Sequence, residues 1–329
     1  MFKKELIDGG MKKEKIYKLP EDVINPHPRA YPRYLISPFN TEHLTINHEI
    51  YLRDRKLNIK AGFLEKYFND SKKYSYITKR GQEAIAIILK DLFLNPSDDI
   101  CILNTSGSPY ISSCITSEIE KVCKWGRSVG AKTKGIFIIH EFGFPARVPN
   151  EILNLNIPII EDCAYCLGSQ NEDNTIGKLG DYTIYSFSKI FPVQYGGLIR
   201  SKKKLNGESA ISKYSRDYLL TLLHYYFKGH KKEMKLRKEN YGKFVKLFAL
   251  HGITPRFNME KNNTPACFVF HLPQSPLSDK LKIELNNKGI ESTVYYRGNG
   301  FFVPCHQYLT DRDIEYIYAN ICQVLGLSL

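Results

Sequence analysis

Apolar and polar positions along this chain sort it into short buried strands and amphipathic helices. In the run KRGQEAIAIILKDLF, Ala84, Ile85, Ile88, Leu89 and Leu92 recur at the spacing of one helix face, so a core-facing helix is expected to begin near Gly81. Brief apolar runs bounded by turn residues predict strands at Tyr76–Thr78, at Ile100–Leu103 and at Gly135–His140 (GIFIIH). Two more lie inside the stretch Ile157–Arg200, and Gly196-Gly197 opens another that ends at Ser201. Helical spacing also marks Gly62–Tyr74, a segment starting near Tyr110, and a stripe of Tyr218, Leu219, Leu222, Leu223 and Tyr226. A separate long helix is expected from about Lys231 to Leu250. Beyond it the pattern gives strands at Cys267–Leu272 and Ser292–Arg297 around a helix at Asp279–Asn287 that stops near Gly289. The last helix starts at Thr310, with Asp313 three residues on in a capping-box arrangement and Ile314, Ile317, Ile321 and Val324 as its buried face. Prolines at 20, 26, 28, 32 and 38 make residues 1–45 an extended lead-in.

Composition narrows the class. The chain has 329 residues, 43% hydrophobic and 25% charged, which suits a soluble globular protein with a sizeable core and two domains. The expected division is 1–230, a lead-in plus a large domain, and 231–329, a smaller one. No apolar run is long enough to span a bilayer, and the Lys-rich start MFKKELIDGGMKKEK lacks the apolar segment of a signal peptide. Met11 is an alternative start. Eight cysteines, scattered except for Cys163 and Cys166, point to a reduced, cytoplasmic setting. The C-A-Y-C pair has neither a second pair nor histidines at zinc-site spacing, so no metal is expected. The net charge of +13 gathers in KGHKKEMKLRK (Lys228–Lys238) and at Lys202–Lys204. These read as solvated faces. They come with no zinc-finger, basic-zipper or aromatic RNA-binding signature, so nucleic acid is not the expected partner.

The chemistry concentrates in IPIIEDCAYCLGSQNEDNTIGKLGDYTIYSFSKIFPVQYGGLIR, Ile157 to Arg200. In open α/β sheets, reactive groups sit at the carboxyl ends of strands, and both Asp162 and Lys189 fall at such ends. The succession EDCAYCLGS, GDYTIYSFSK, six residues, then Gly196-Gly197 resembles the DegT-type pyridoxal phosphate-dependent nucleotide-sugar aminotransferases. That family reads Glu-Asp-x-Ala-His-x-x-Gly, then Gly-Asp and a strand ending Ser-Phe, then the Schiff-base lysine, then Gly-Gly after six residues. HEFGFP, with His140, Gly143 and Pro145 in register, and the closing FFVPCHQYLTDRDIEYI extend the likeness. It runs from about Gly62 to the end, with a gap in the middle third.

The resemblance implies the fold type I architecture of pyridoxal phosphate (PLP)-dependent transferases. This is an α/β fold with a mostly parallel seven-stranded sheet between helices, a smaller C-terminal α/β domain, and a homodimer with shared active sites. It implies Lys189 as the Schiff-base lysine and Asp162 as partner of the pyridine nitrogen. The amides of Gly81 and Gln82 would hold the phosphate, although the family's Ser-Gly-Thr is here Arg80-Gly81-Gln82. Tyr110 would stack on the ring, and Tyr165 stands where the family carries histidine. Ser186 would bind phosphate with help from Ser188, but it precedes Lys189 by three residues where the family has five. The family's Gly-Tyr-Asn loop is absent, replaced by RDYLLTLLHYYFKGHKK.

The implied reaction moves an amino group from glutamate or glutamine to a keto sugar on a nucleoside diphosphate, with Lys189 shuttling protons. Shuttling needs a neutral amine, and burial is expected to lower the Lys189 pKa. Tyr296, Arg297 and His306 are exposed-loop candidates for substrate contact. Two rivals remain at this stage: a PLP enzyme of the same fold acting on a non-sugar substrate, and a non-catalytic relative serving as a regulator or assembly partner.

Overall fold

The computed structural model describes residues 33–68, 73–207 and 209–328. Most of the expected N-terminal lead-in, including Met1, Met11 and the prolines at 20, 26, 28 and 32, lies outside the described residues, as does the stretch 69–72 within the expected Gly62–Tyr74 helix. The strands are β1 (Tyr74–Thr78), β2 (Asp99–Asn104), β3 (Lys124–Gly126), β4 (Thr133–Ile139), β5 (Ile159–Asp162), β6 (Tyr182–Ser186), β7 (Gly197–Ser201), β8 (Cys267–His271), β9 (Thr293–Tyr295) and β10 (Gly300–Pro304). The helices are α1 (Glu42–Asp54), α2 (Gly62–Phe68), α3 (Gly81–Asp91), α4 (Ser113–Ile119), α5 (Asn150–Leu153), α6 (Lys213–Ala249), α7 (Pro276–Asn287) and α8 (Asp311–Leu325).

Seven strands form one sheet in the order β1-β7-β6-β5-β4-β2-β3, in which β7 runs antiparallel to both neighbours and every other pair is parallel. Buried parallel strands read as continuous apolar runs because both faces are covered. Successive residues of β5 show the two faces: Ile159 packs on one side with Ile136 and Ile138, and Ile160 on the other with α3, α4 and Phe137. Helices α1, α2 and the first half of α6 cover the β6–β7–β1 end through Tyr185 and Leu198. The second sheet, β8-β10-β9, is antiparallel and packs against α7, α8 and the second half of α6, with Phe244, Phe248 and Phe268 in its core. The implied architecture, a large mostly parallel sheet with a smaller C-terminal α/β layer, is what the structure shows.

Some local expectations change. The helix expected near Tyr110 begins at Ser113, because Asn104 Nδ2 binds the carbonyls of Ser108 (3.1 Å) and Tyr110 (3.3 Å) and keeps that segment in a turn. The two helices expected around residues 218–226 and 231–250 are one helix of 37 residues, capped at its start by Ser212. Gly229 does not break it, because aromatic packing straddles the glycine: Phe227 lies 4.9 Å from Phe191, and His230 lies 5.2 Å from the same ring. Helix α6 therefore passes unbroken through residue 230 and joins the two sheets. The final helix is as expected, with Thr310 and Asp313 forming a capping box. Among the described residues, no helix is long and apolar enough to cross a membrane.

Candidate active site

Parallel pairing brings the carboxyl ends of β4, β5 and β6 to one edge, with Ile139 opposite Asp162 and Asp162 opposite Ile184. The N-terminus of α3 faces the same edge. Between them lies a cavity of about 370 Å³. Gly81, Gln82, Tyr110, Asp162, Tyr165, Ser186, Ser188 and Lys189 all line it, so every cofactor residue expected from the sequence comes to one place.

Lys189 closes a single 3-10 turn, Phe187–Lys189, that follows β6 directly. Its Nζ donates to the Tyr165 hydroxyl at 2.6 Å and sits 3.9 Å above that ring's centroid. Burial pushes the ammonium pKa down, but Tyr165, Cys267 and Asp162 push it up harder, and the net direction is upward. This corrects the expectation of a lowered pKa. Burial alone would lower it, but the fold, β8 included, assembles acidic groups around the amine that reverse the direction. Tyr165 itself is raised, chiefly by burial and against the opposing pull of Lys189.

Asp162 ends β5 and is buried. Its Oδ1 accepts the Ala164 N–H at 2.9 Å, while no hydrogen bond reaches Oδ2 among the described residues. Burial raises its pKa against the opposing pull of the Ala164 N–H, Lys189 and His140. Such a carboxyl seeks a donor in the cavity.

At the opposite end, Arg80 caps α3 in an extended conformation, and the first amides of the helix have no intrahelical acceptor. A Cβ on Gly81 would meet Ser186 Cβ at 3.7 Å and Oγ at 3.9 Å, so the glycine faces that serine across an open cup. Ser186 Oγ and Ser188 Oγ stand 3.5 Å apart. The Gln82 side chain turns away and donates to Glu118 at 2.6 Å, which leaves its backbone N–H for the cup. Tyr110 lies 4.4 Å from Tyr295, and burial raises its pKa to about 12. A lysine amine, a buried carboxylate oxygen without a donor, and a cup of amides and hydroxyls make a donor set that fits pyridoxal phosphate.

The sequence candidates for substrate contact do not line this cavity. His306 is buried, not exposed: its Nδ1 accepts the Tyr308 N–H at 3.2 Å, and its pKa falls to about 3 through burial, Arg237 and His43. Tyr296 is exposed beside Lys282, and Arg297 is exposed, with its N–H bonded to Gln274. His140 lines the cavity but is committed to structure. Its Nδ1 accepts the Ala146 N–H at 3.0 Å, leaving Nε2 to donate to Glu161 at 3.3 Å. Ligand atoms of His140, Glu161 and Cys163 lie within 4.8 Å of one another. Glu161, however, also accepts from Gly177 (3.0 Å) and Gly180 (2.8 Å), and burial pushes the Cys163 thiol well up. These groups pin the 177–180 loop under the sheet edge.

Sequence reasoning missed Glu141 and Tyr295. Glu141 lines the cavity, accepts from Ser106 N–H (2.7 Å) and Asn104 Nδ2 (3.2 Å), and is bonded by the Tyr295 hydroxyl. Tyr295 ends β9 and meets the site through Glu141, while Phe302 of β10 lines the cavity itself. The partners come from three separated segments, and no local motif signals them.

Comparison with known proteins agrees with this geometry. Residues 120–211, which include Asp162, Tyr165, Ser186 and Lys189, match the family model of the DegT/DnrJ/EryC1/StrS aminotransferase family. The chain is 23% identical over 172 residues to GDP-perosamine synthase of Escherichia coli O157:H7, covering 45% of this chain and 47% of that protein. It is 31% identical over 78 residues to a UDP-4-amino-4,6-dideoxy-N-acetyl-beta-L-altrosamine transaminase of Campylobacter jejuni, covering 22% and 21%. The matched region thus spans less than half the length of these curated relatives. Among solved structures, the aminotransferase TlmJ from Streptoalloteichus hindustanus superposes with a TM-score of 0.71 at 14% identity, over 89% of this chain and 99% of that one. The PLP-form of a sugar aminotransferase from Streptococcus pneumoniae gives 0.65 at 16% identity, over 90% and 99%. The resemblance to the DegT-type aminotransferases is therefore shown, and the structural likeness establishes the shared fold.

Proposed function

We propose that this relative of the DegT-type aminotransferases is itself a pyridoxal phosphate-dependent aminotransferase. It would move an amino group from glutamate or glutamine to a keto sugar carried on a nucleoside diphosphate. The observation that carries the reading is the convergence of Lys189, Asp162 and the Gly81–Ser186 cup on one cavity. Lys189 would hold the cofactor, Asp162 its ring nitrogen, Tyr110 and Tyr165 its ring, and the Gly81 and Gln82 amides with Ser186 its phosphate. When bound, the cofactor supplies an electron sink for the carbanion formed beside the transferred nitrogen.

The protein's own groups do the rest. Asp162 lends a negative charge that keeps a bonded ring nitrogen protonated. Lys189, once its amine is neutral, would accept and return a proton at Nζ beside the reacting carbons. Tyr165, bonded to Nζ, holds the amine in place between these transfers. Phe142, Ile139, Ile184 and Phe302 give the cavity apolar walls that limit water.

The same reading takes 1–230 and 231–329 as large and small domains joined through α6, and takes the protein as a homodimer of the cytoplasm. The family's Gly-Tyr-Asn loop is missing, so a non-sugar carbonyl substrate is the second reading. The test is a half-reaction. PLP-loaded protein mixed with L-glutamate should release 2-oxoglutarate in stoichiometric amount, and a nucleoside diphosphate keto sugar should then accept the amine. No 2-oxoglutarate from glutamate and no 2-oxoglutaramate from glutamine would defeat the proposal, and acceptance only by non-sugar carbonyls would favour the second reading.

A further inference from the structure

The turn that carries Lys189 is short, and its carbonyls are held from outside. Three consecutive backbone oxygens after β6 each accept a side-chain hydrogen bond from a distant segment. Ser37 Oγ donates to the Ser188 carbonyl at 2.6 Å. Arg237 Nη2 donates to the carbonyls of Lys189 (3.1 Å) and Ile190 (3.0 Å). Gln307 Nε2 donates to the Ile190 carbonyl at 3.0 Å, while its Oε1 accepts Arg237 Nε at 2.6 Å. One turn along α6, Asn240 binds the carbonyls of His306 (2.9 Å) and Leu309 (3.1 Å), which fixes the segment that presents Gln307.

This arrangement is costly as mere packing. Arg237 is 2% exposed, and its Nη1 has no hydrogen-bond partner among the described residues. A buried guanidinium with an idle donor destabilises a core unless its other contacts matter. What it contacts is the backbone of Lys189, in a turn with only three residues from Ser186 to the lysine. Such a turn has little hydrogen bonding of its own: Ile190 and Phe191 N–H both return to the Phe187 carbonyl, leaving the next three carbonyls to outside donors.

We propose that Arg237 is a positioning residue for Lys189, acting with Gln307 as a clamp that sets where the lysine side chain leaves the backbone. This rests on the reading of Lys189 as the cofactor lysine. A planar guanidinium suits the task because Nη2 donates to two adjacent carbonyls while Nε on the same edge engages Gln307, a fork that lysine lacks. The inference adds a residue from α6, 48 positions from the lysine, to the machinery of the site.

The test follows the capture of PLP by Lys189, trapped with borohydride and located by peptide mapping, in Arg237→Gln, Arg237→Lys and Gln307→Leu. Thermal melting by circular dichroism first establishes that each variant is folded at the assay temperature. In folded Arg237→Gln, trapping at Lys189 should slow by about a hundredfold, since small misplacements at a reacting atom carry losses of that order. Arg237→Lys should not restore it, and Gln307→Leu, which leaves the guanidinium in place, should lose about tenfold. If Arg237→Gln fails to fold, Gln307→Leu and Arg237→Lys carry the test alone. Folded variants that trap cofactor at the wild-type rate, with only a lower melting temperature, would overturn the inference and leave Arg237 an architectural residue. Wild-type protein that traps nothing at Lys189 would overturn the cofactor reading, and the clamp's role with it.

Discussion

The two ends of the cavity are built differently. At the strand end, Asp162, Tyr165 and Lys189 are tied to one another and to buried backbone: Asp162 to Ala164, Lys189 to Tyr165, and the lysine's own carbonyl to Arg237. At the helix end, Arg80 and Gln82 are exposed, Gln82's side chain is spent on Glu118, and Gly81 lies where a methyl would just touch Ser186. Chemistry needs fixed geometry, and the strand end supplies it through burial. Phosphate binding relies on amides and charge, which tolerate different side chains around a constant glycine. The family match likewise covers residues 120–211 and leaves out the turn into α3.

Substitutions should separate the two ends. The largest effect belongs to Lys189→Ala, which should abolish covalent capture of PLP, read as loss of the borohydride-trapped peptide. Next, Asp162→Asn should still bind cofactor but slow the glutamate half-reaction by about a hundredfold or more, as loss of a buried charge aimed at the reacting system does. An unchanged single-turnover rate would remove the role assigned to Asp162. Changes at the helix end should be milder and act on affinity. Ser186→Ala, which removes a charge-assisted hydrogen bond, and Gly81→Ala, whose methyl would sit against Ser186 in the cup, should each weaken PLP binding about tenfold, with the trapped lysine unchanged. Equilibrium titration checks this, and wild-type affinity in both variants would dissolve the distinction between the ends.

A smaller effect concerns pH. Tyr165 helps hold the Lys189 pKa up, so Tyr165→Phe should move the pH dependence of reductive methylation at Lys189 toward lower pH. A profile that stays put or moves up would show that the phenol does not set the amine's protonation. Away from the site, three buried histidines are shifted down by burial: His43 and His230 to about 4, and His306 to about 3. Unfolded histidine near 6.5 takes up protons that the folded groups refuse, so stability is full above about pH 6.5 and falls as the pH drops toward 4. Melting temperature against pH should show that decline, and a flat profile would contradict the burial of these rings.

What the sequence made legible was local. Asp162, Lys189 and the Gly196-Gly197 pair sit in one stretch where strand-end chemistry and spacing coincide, and Thr310 with Asp313 announces a helix start. What stayed hidden depends on segments meeting across the fold. The stripe at residues 218–226 and the helix expected from about Lys231 are one helix, because Phe227 and His230 pack on Phe191 across Gly229. The upward push on the Lys189 pKa comes first from Tyr165, in the same stretch, and then from Cys267, which arrives from β8. Arg237 lay in a lysine-rich run that reads as solvated surface, yet it faces inward from α6 beneath the Lys189 turn. His306 looked like a loop residue open to substrate, but α6 and the N-terminal segment at Leu35 close over it.

The most direct test of the central claim is the visible absorption spectrum of the purified protein with pyridoxal phosphate, before and after L-glutamate is added. The account predicts a visible band of lysine-bound cofactor that is lost on adding glutamate as the amine form of the cofactor accumulates. A protein that develops no such band, or whose band persists unchanged with both glutamate and glutamine, would contradict it.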